Sequence, residues 1–105
     1  MREILNPRKR NIRAGYSLAW ARIKSHRETI PHTLKYSEVY FILKGRGVMR
    51  INNRMKKFRG QDTIYIPPRA VQSIKNTGRS DLEFLCIVSP AWKPACEKII
   101  RKPSR

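Results

Sequence analysis

The sequence predicts an all-β domain, a sandwich or a barrel of seven or eight short strands with almost no helix. Short apolar runs rich in β-branched and aromatic residues recur along the chain, and glycine, proline and asparagine turns separate them about every 8–12 residues. A length of 105 residues is enough for one hydrophobic core and too short for a second. We therefore expect a single domain.

Each predicted strand is bounded by a recognisable turn. Gly45-Arg46-Gly47 ends the most apolar strand, Asn52-Asn53-Arg54 is typical of a hairpin turn, and Pro67-Pro68 removes two backbone donors in succession. The run of β-branched and aromatic residues in 37–44 predicts a strand buried on both faces. In chain order, the predicted strands cover residues 16–24, 29–34, 37–44, 48–51, 55–58, 63–66, 70–75 and 82–88.

The two ends of the chain differ from the middle in composition. Residues 1–13 predict a basic arm that frays or lies along a neighbour, residues 14–90 the β-domain, and residues 91–105 a tail in which 95–101 could form a short helix. No apolar run of about eighteen residues and no secretory signal pattern is present. We expect a soluble, cytoplasmic protein with no membrane partner.

The formal charge of +17, from 24 Lys+Arg against 7 Asp+Glu, favours anionic partners. Basic residues concentrate in 44–59, a segment that contains no acidic residue. A solvated basic surface is the simpler interpretation, because no nucleic-acid motif accompanies it. The alternative is a non-catalytic, nucleic-acid-associating protein that uses this hairpin and the two tails. Its contact residues would be Arg50, Arg54, Lys56, Lys57 and Arg59.

Glu38 is the most informative single residue, because it leads into the apolar strand 37–44. A buried carboxylate is costly unless it meets a cation, hydrogen-bond donors or water, so Glu38 is either a site residue or a paired structural residue. The two cysteines form no metal-type pair, which fits a reducing compartment. Cys86, inside a strand-like run, is expected to be a small core residue.

Two spaced motifs resemble those of the cupins, which are jelly-roll β-barrels. His32, Glu38 and Gly45 match the first cupin motif, and Gly60, Pro67 and Asn76 match the second. The resemblance covers about residues 19–90 and implies a cupin barrel, commonly a homodimer. Stretches such as S-E-V-Y-F-I-L-K-G-R-G and Y-I-P-P are similar to those of small conserved-barrel cupins described as sugar-phosphate-isomerase-like.

The resemblance implies a metal site that this sequence only partly retains. In the family, three histidines and a glutamate hold one divalent metal, whereas here Leu34 and Gln72 replace two of the histidines. His26 and Arg69 stand where the motifs have glycines. The remaining ligands, His32, Glu38 and Gln72, would hold a divalent ion such as Mn, Zn or Fe only weakly, or hold none.

The same residues can instead recognise a ligand directly. We expect a polar pocket for a small, anionic or sugar-like molecule, in which His32 and Glu38 would also be the catalytic pair if the protein is an enzyme. Proton transfer of the isomerase type suits this pair better than dioxygenase chemistry, which needs firmly held iron. The other expected ligand-binding residues are Gln72, Tyr40, Ile42, Ile74, Phe84 and Cys86.

Overall fold

The structure is a computed structural model that describes residues 1–10 and 12–100. Its strands form two five-stranded antiparallel sheets that pack face to face as a jelly roll. The first sheet has the order β1-β2-β9-β4-β7 and the second the order β10-β3-β8-β5-β6. The strands are β1 (Arg2–Leu5), β2 (Ser17–Ile23), β3 (His32–Leu34), β4 (Ser37–Lys44), β5 (Arg46–Ile51), β6 (Arg54–Arg59), β7 (Thr63–Ile66), β8 (Gln72–Asn76), β9 (Leu82–Ser89) and β10 (Glu97–Ile99).

The all-β barrel predicted from the sequence is confirmed, and β4 and β7 have the predicted bounds. The expectation that β4 is buried on both faces is wrong. Its side chains alternate, with Glu38, Tyr40 and Ile42 buried and Val39 and Phe41 half-buried. A strand of an antiparallel sandwich turns one face to the core and the other toward solvent, which explains the alternation.

Both ends of the chain add strands to the sheets. Residues Arg2–Leu5 pair with β2 of the same chain, so this part of the basic arm neither frays nor needs a neighbour. A terminal helix over 95–101 is wrong for the described residues, where a three-residue 3-10 helix at Pro94–Cys96 is followed by β10. Residues 101–105 lie outside the described residues. The division into arm, barrel and tail at residues 13 and 90 stays a prediction.

His26 and Arg69, which stand where the cupin motifs have glycine, lie in turns with positive φ. His26 has φ of 61° and Arg69 has φ of 68°, both in the left-handed region that favours glycine. The Arg69 N–H donates to the carbonyl of Leu34 at 2.6 Å, which ties this turn to β3. The turns therefore hold a histidine and an arginine in a conformation that favours glycine.

The core lies between the inner faces of the two sheets. Phe84 and Ile42 from the first sheet and Ile74 from the second are among the largest fully buried side chains. The rings of Tyr40 and Phe84 pack with centroids 4.5 Å apart and planes tilted by 34°. This packing fixes the inward face of β4, which carries the candidate site.

Candidate functional site in the barrel cavity

A cavity of about 500 Å³ opens between β2, β9 and β4 of the first sheet and β3 of the second. Its wall is mostly apolar, with Leu34, Phe84 and Val88 among the lining residues. His32 and Glu38 reach the same space from β3 and β4. An apolar cavity of this size with a few convergent polar groups has the usual makeup of a small-molecule site.

Glu38 is the centre of a buried hydrogen-bond network and is 4% exposed. The Gln72 amide donates to its Oε1 at 2.7 Å, and the Cys86 thiol donates to its Oε2 at 2.8 Å. The Tyr40 hydroxyl in turn donates to Oε1 of Gln72 at 3.0 Å. Among the described residues, every buried side-chain nitrogen and oxygen has a hydrogen-bond partner. The carboxylate that the sequence singled out is therefore compensated by uncharged donors.

Burial governs the titration of this network. Loss of hydration raises the pKa of Glu38, and the hydrogen bonds from Cys86 and Gln72 and the nearby His32 oppose that rise without reversing it. Burial raises the pKa of the Cys86 thiol, and the neighbouring Glu38 charge adds to the effect. The pKa of Tyr40 is also raised, first by burial and then by Glu38. Cys86 and Tyr40 thus stay protonated as donors at neutral pH.

His32 stands at the rim of the cavity and is half-buried. Its Nδ1 lies 3.1 Å from the carbonyl oxygen of Ile30. A carbonyl can only accept, so this bond places the hydrogen on Nδ1 and leaves Nε2 free of it in the neutral ring. The bond is the one expected of a purely structural rim histidine, yet the ring also lines the cavity.

The side chains do not fit a firmly held metal. No group of three or more His, Cys, Asp or Glu residues within the described part of the chain is arranged to bind an ion. Gln72 turns its amide nitrogen, which is not a metal ligand, toward Glu38, and its oxygen accepts from the Tyr40 hydroxyl. Leu34, where the cupin motif has a histidine, is buried and offers no donor atom. The metal role of His32, Glu38 and Gln72 stays a prediction that this donor set does not favour.

The structure divides the other predicted pocket residues into two groups. Tyr40, Phe84 and Cys86 line the cavity, whereas Ile42, Ile74 and Gln72 are buried beyond its wall. The cavity also includes residues that the sequence analysis missed, among them Ser17, Thr29 and Trp92. The Trp92 backbone N–H donates to the Ser17 hydroxyl at 2.9 Å, and its indole N–H donates to Glu97 of β10 at 3.1 Å.

The basic residues of the β5–β6 hairpin are exposed, as expected of either a solvated surface or a nucleic-acid contact. By register, Arg50, Lys57 and Arg59 lie on the outer face of the β5–β6 pair, and Arg54 and Lys56 lie on the face that carries the buried Phe58. Arg54, Lys56 and Lys57 line a second cleft, which excludes Arg50 and Arg59. No helix of the described residues has the length and apolar content needed to cross a bilayer.

The architecture is a double-stranded β-helix barrel with a ligand-sized cavity between its two sheets. Residues 19–88 match the family model of the cupin domain, and the chain belongs to the cupin family. Membership confirms the resemblance found in the two motifs. Assignment to the sugar-phosphate-isomerase-like subgroup stays a prediction.

Three relatives give the family context. An uncharacterized protein of Methanocaldococcus jannaschii is 39% identical over 95 residues, covering 88% of this chain and 74% of that protein. The oxalate-binding protein of Thermotoga maritima is 37% identical over 51 residues, covering 49% of this chain and 42% of that protein. Auxin-binding protein 1 of Arabidopsis thaliana is 34% identical over 71 residues, covering 59% and 36%. The last two matches span less than half of those proteins.

Solved structures show the same fold. A double-stranded β-helix protein from Klebsiella pneumoniae superposes with a TM-score of 0.79 at 15% identity, covering 95% of this chain and 82% of the other. A cupin 2 domain-containing protein from Halorhodospira halophila gives a TM-score of 0.77 at 20% identity, covering 85% and 62%. At these identities, the comparison establishes the fold alone.

Proposed function

We propose that this cupin binds a small organic molecule in the barrel cavity, with the ligand's polar group held by His32 and Glu38. The observation that carries the proposal is the convergence of these two side chains on an apolar space of about 500 Å³. A cavity of that size suits a ligand buried for most of its surface.

The hydrogen-bonding state of the two residues defines the class of ligand. Each Glu38 oxygen already accepts one bond and has capacity for a second, so the carboxylate favours a ligand O–H or N–H. Neutral His32 offers the Nε2 lone pair, which also accepts from a ligand donor. Protonated His32 would instead donate to an anion. A hydroxylated, sugar-like molecule matches both acceptors, and a carboxylate or phosphate on it would engage the protonated ring.

The relatives support the general class of function. Two of them are named for binding oxalate and auxin, both small organic molecules. Each match covers only part of the relative, so their ligands serve as candidates to test. Oxalate, auxin and a sugar phosphate form a suitable first panel.

The chain offers a matched pair of histidines for the test. His32 lines the cavity, whereas His26 lies in a turn outside it and has a left-handed backbone that asparagine tolerates. We expect a panel compound to shift the amide NMR signals of cavity-lining residues. His32→Asn should weaken that binding about tenfold, and His26→Asn should leave it unchanged. Equal effects of the two variants would refute a contact between His32 and the ligand.

Proton-transfer catalysis at the same site is the second candidate, because burial raises the pKa of Glu38 toward the range of a useful general base. Glu38→Gln keeps the shape of the side chain and removes the titrating group. An enzyme of this type would retain binding in the variant and lose turnover. Turnover that persists in Glu38→Gln would rule out Glu38 as the general base.

The remaining predictions concern partners. Homodimer formation, a cytoplasmic location and nucleic-acid association stay predictions. Nucleic-acid binding by the hairpin would weaken steeply as the salt concentration rises, and replacing Arg54, Lys56, Lys57 and Arg59 with glutamine would abolish it. Binding of an uncharged ligand in the barrel would be insensitive to both changes.

A further inference from the structure

A second cleft, larger than the barrel cavity, lies between strands β6 and β7. Its volume is about 740 Å³. In the described part of the chain, β6 and β7 each pair with a neighbour on one side only, so the cleft is the open edge of the sandwich. Proteins commonly cover or block such unpaired sheet edges, whereas this edge forms an accessible cleft.

The floor of the cleft is apolar. Met49 and Phe58 form buried parts of it, and Ile51 and Ile64 are half-buried. Tyr65 also lines it and is 59% exposed. The floor therefore offers a water-accessible apolar surface, which an apolar group would dehydrate favourably.

The rim of the cleft is cationic. Arg54, Lys56 and Lys57 line it and are exposed, with Arg54 and Lys56 on the face of β6 that carries Phe58 and Lys57 on the opposite face. The ion pairs found among residues 1–10 and 12–100 involve none of them. Asp62 is the acidic residue of the lining, and its carboxylate accepts the backbone N–H of Arg59 at 2.9 Å. The rim thus has an excess of positive charge.

The cleft is separate from the barrel cavity. Tyr40 lines the cavity and is paired in register with Ile64, which lines the cleft. Gln72 is likewise paired with Ile51 of the cleft. The hydrogen bond from Tyr40 to Gln72 joins the two sheets between the two spaces. Occupancy of one space therefore does not require the other.

From these features we infer that the β6–β7 cleft binds an amphiphilic organic anion, a molecule with an apolar body and one carboxylate, sulfonate or phosphate. The floor accounts for the apolar body and the rim for the charge. A second copy of the chain does not suit the cleft, because both copies carry a formal charge of +17. Inward-pointing charges alone would protect the edge, but they do not require an apolar floor beneath them.

Decanoate is a suitable probe, because it has an apolar chain and one carboxylate. In an amide NMR titration of the full chain, we expect the largest shifts in β6 and β7, at Phe58 and Ile64, and smaller ones at Leu34 and Cys86 of the barrel cavity. The double variant Arg54→Gln/Lys56→Gln should bind decanoate about tenfold more weakly. Lys75→Gln, which removes an exposed cation elsewhere on the same sheet, should change the affinity less than about twofold.

The uncharged 1-decanol separates the contribution of charge from that of the apolar chain. We expect it to bind about tenfold more weakly than decanoate, and inorganic phosphate to cause no comparable shifts. The NMR spectrum of the double variant shows directly whether it is folded. Shifts centred on the barrel cavity, equal affinity for decanoate and decanol, or no binding at about 10 mM decanoate would overturn the inference. Shifts centred on the barrel cavity would support ligand binding at His32 and Glu38, and the other two outcomes leave that proposal unchanged.

Discussion

Gln72 allows the strongest test of the buried network, since it donates to Glu38 and accepts from Tyr40. Methionine has a similar length and no branch, so Gln72→Met removes both bonds with little change in packing. The variant leaves the buried Tyr40 hydroxyl unsatisfied, at about 1–3 kcal/mol, and removes a charge-assisted bond worth about 1.5–3 kcal/mol. We expect a loss of about 3–5 kcal/mol in the free energy of unfolding at pH 7.

Tyr40→Phe makes this estimate a thermodynamic cycle. Alone, it removes one hydrogen bond and should cost about 1–2 kcal/mol. In the double variant with Gln72→Met, no hydroxyl remains to be left unsatisfied. The double variant should therefore cost about 1–2 kcal/mol less than the sum of the two single changes.

Equilibrium unfolding in urea gives the free energy of unfolding of the wild type, the two single variants and the double variant, provided that its slope with urea concentration is the same for all four. Tyr65→Phe is the matched control, because Tyr65 is exposed and lies outside the network. It should cost less than about 0.5 kcal/mol and add to Gln72→Met without coupling. Additive effects of Tyr40→Phe and Gln72→Met would show that the bond joining the two sheets does not stabilise the fold.

Three further predictions test titration, packing and metal binding. Burial raises the pKa of Glu38 in the folded state, so folding favours the protonated carboxyl group. The free energy of unfolding of the wild type, relative to that of Glu38→Gln, should therefore be greatest below about pH 4 and should fall as the pH rises through the folded-state pKa. Urea unfolding of both proteins across the pH range measures this difference. Gly47→Ala should destabilise the fold by about 3 kcal/mol or more in urea unfolding, because its Cβ would overlap the Lys75 carbonyl oxygen. Gly15→Ala is the control and should be nearly neutral, because a Cβ there meets nothing within 4 Å. Elemental analysis should find far less than one metal ion per wild-type chain. The double variant Leu34→His/Gln72→His restores the two missing imidazoles and should raise the zinc or manganese content toward one ion per chain. An unchanged metal content in the folded variant would contradict the conclusion that residues 34 and 72 prevent firm metal binding.

The parts of the fold that follow from local patterns could be predicted from the sequence. Proline and glycine turns and runs of β-branched residues predicted the exact bounds of β4 and β7, because these signals are local. The strand β10 pairs with β3, a neighbour more than sixty residues earlier in the chain, and its short, exposed sequence has no strand pattern of its own. Its existence depends on that distant pairing, which no local signal reports.

The candidate site shows the same limit. Glu38 could be singled out because a carboxylate in an apolar run must find compensation, but the sequence did not say which groups provide it. Gln72 and Cys86 lie on different sheets and meet only at Glu38. The cleft at β6 and β7 was missed as a site because alternation along one strand shows which side chains face inward and not whether the edge beside them is open.

The network gives a physical meaning to the two departures from the cupin motif. A buried carboxylate needs a compensating charge or donors, and in a metal-binding cupin a cation would supply it. Here the Gln72 amide and the Cys86 thiol donate to the two oxygens of Glu38 and offset part of the cost of burying its charge. In a barrel without a metal ion, Leu34 would be at no disadvantage, because no ion would need the imidazole that it lacks. The two changes are consistent with each other, and together they favour a cavity that recognises its ligand through hydrogen bonds.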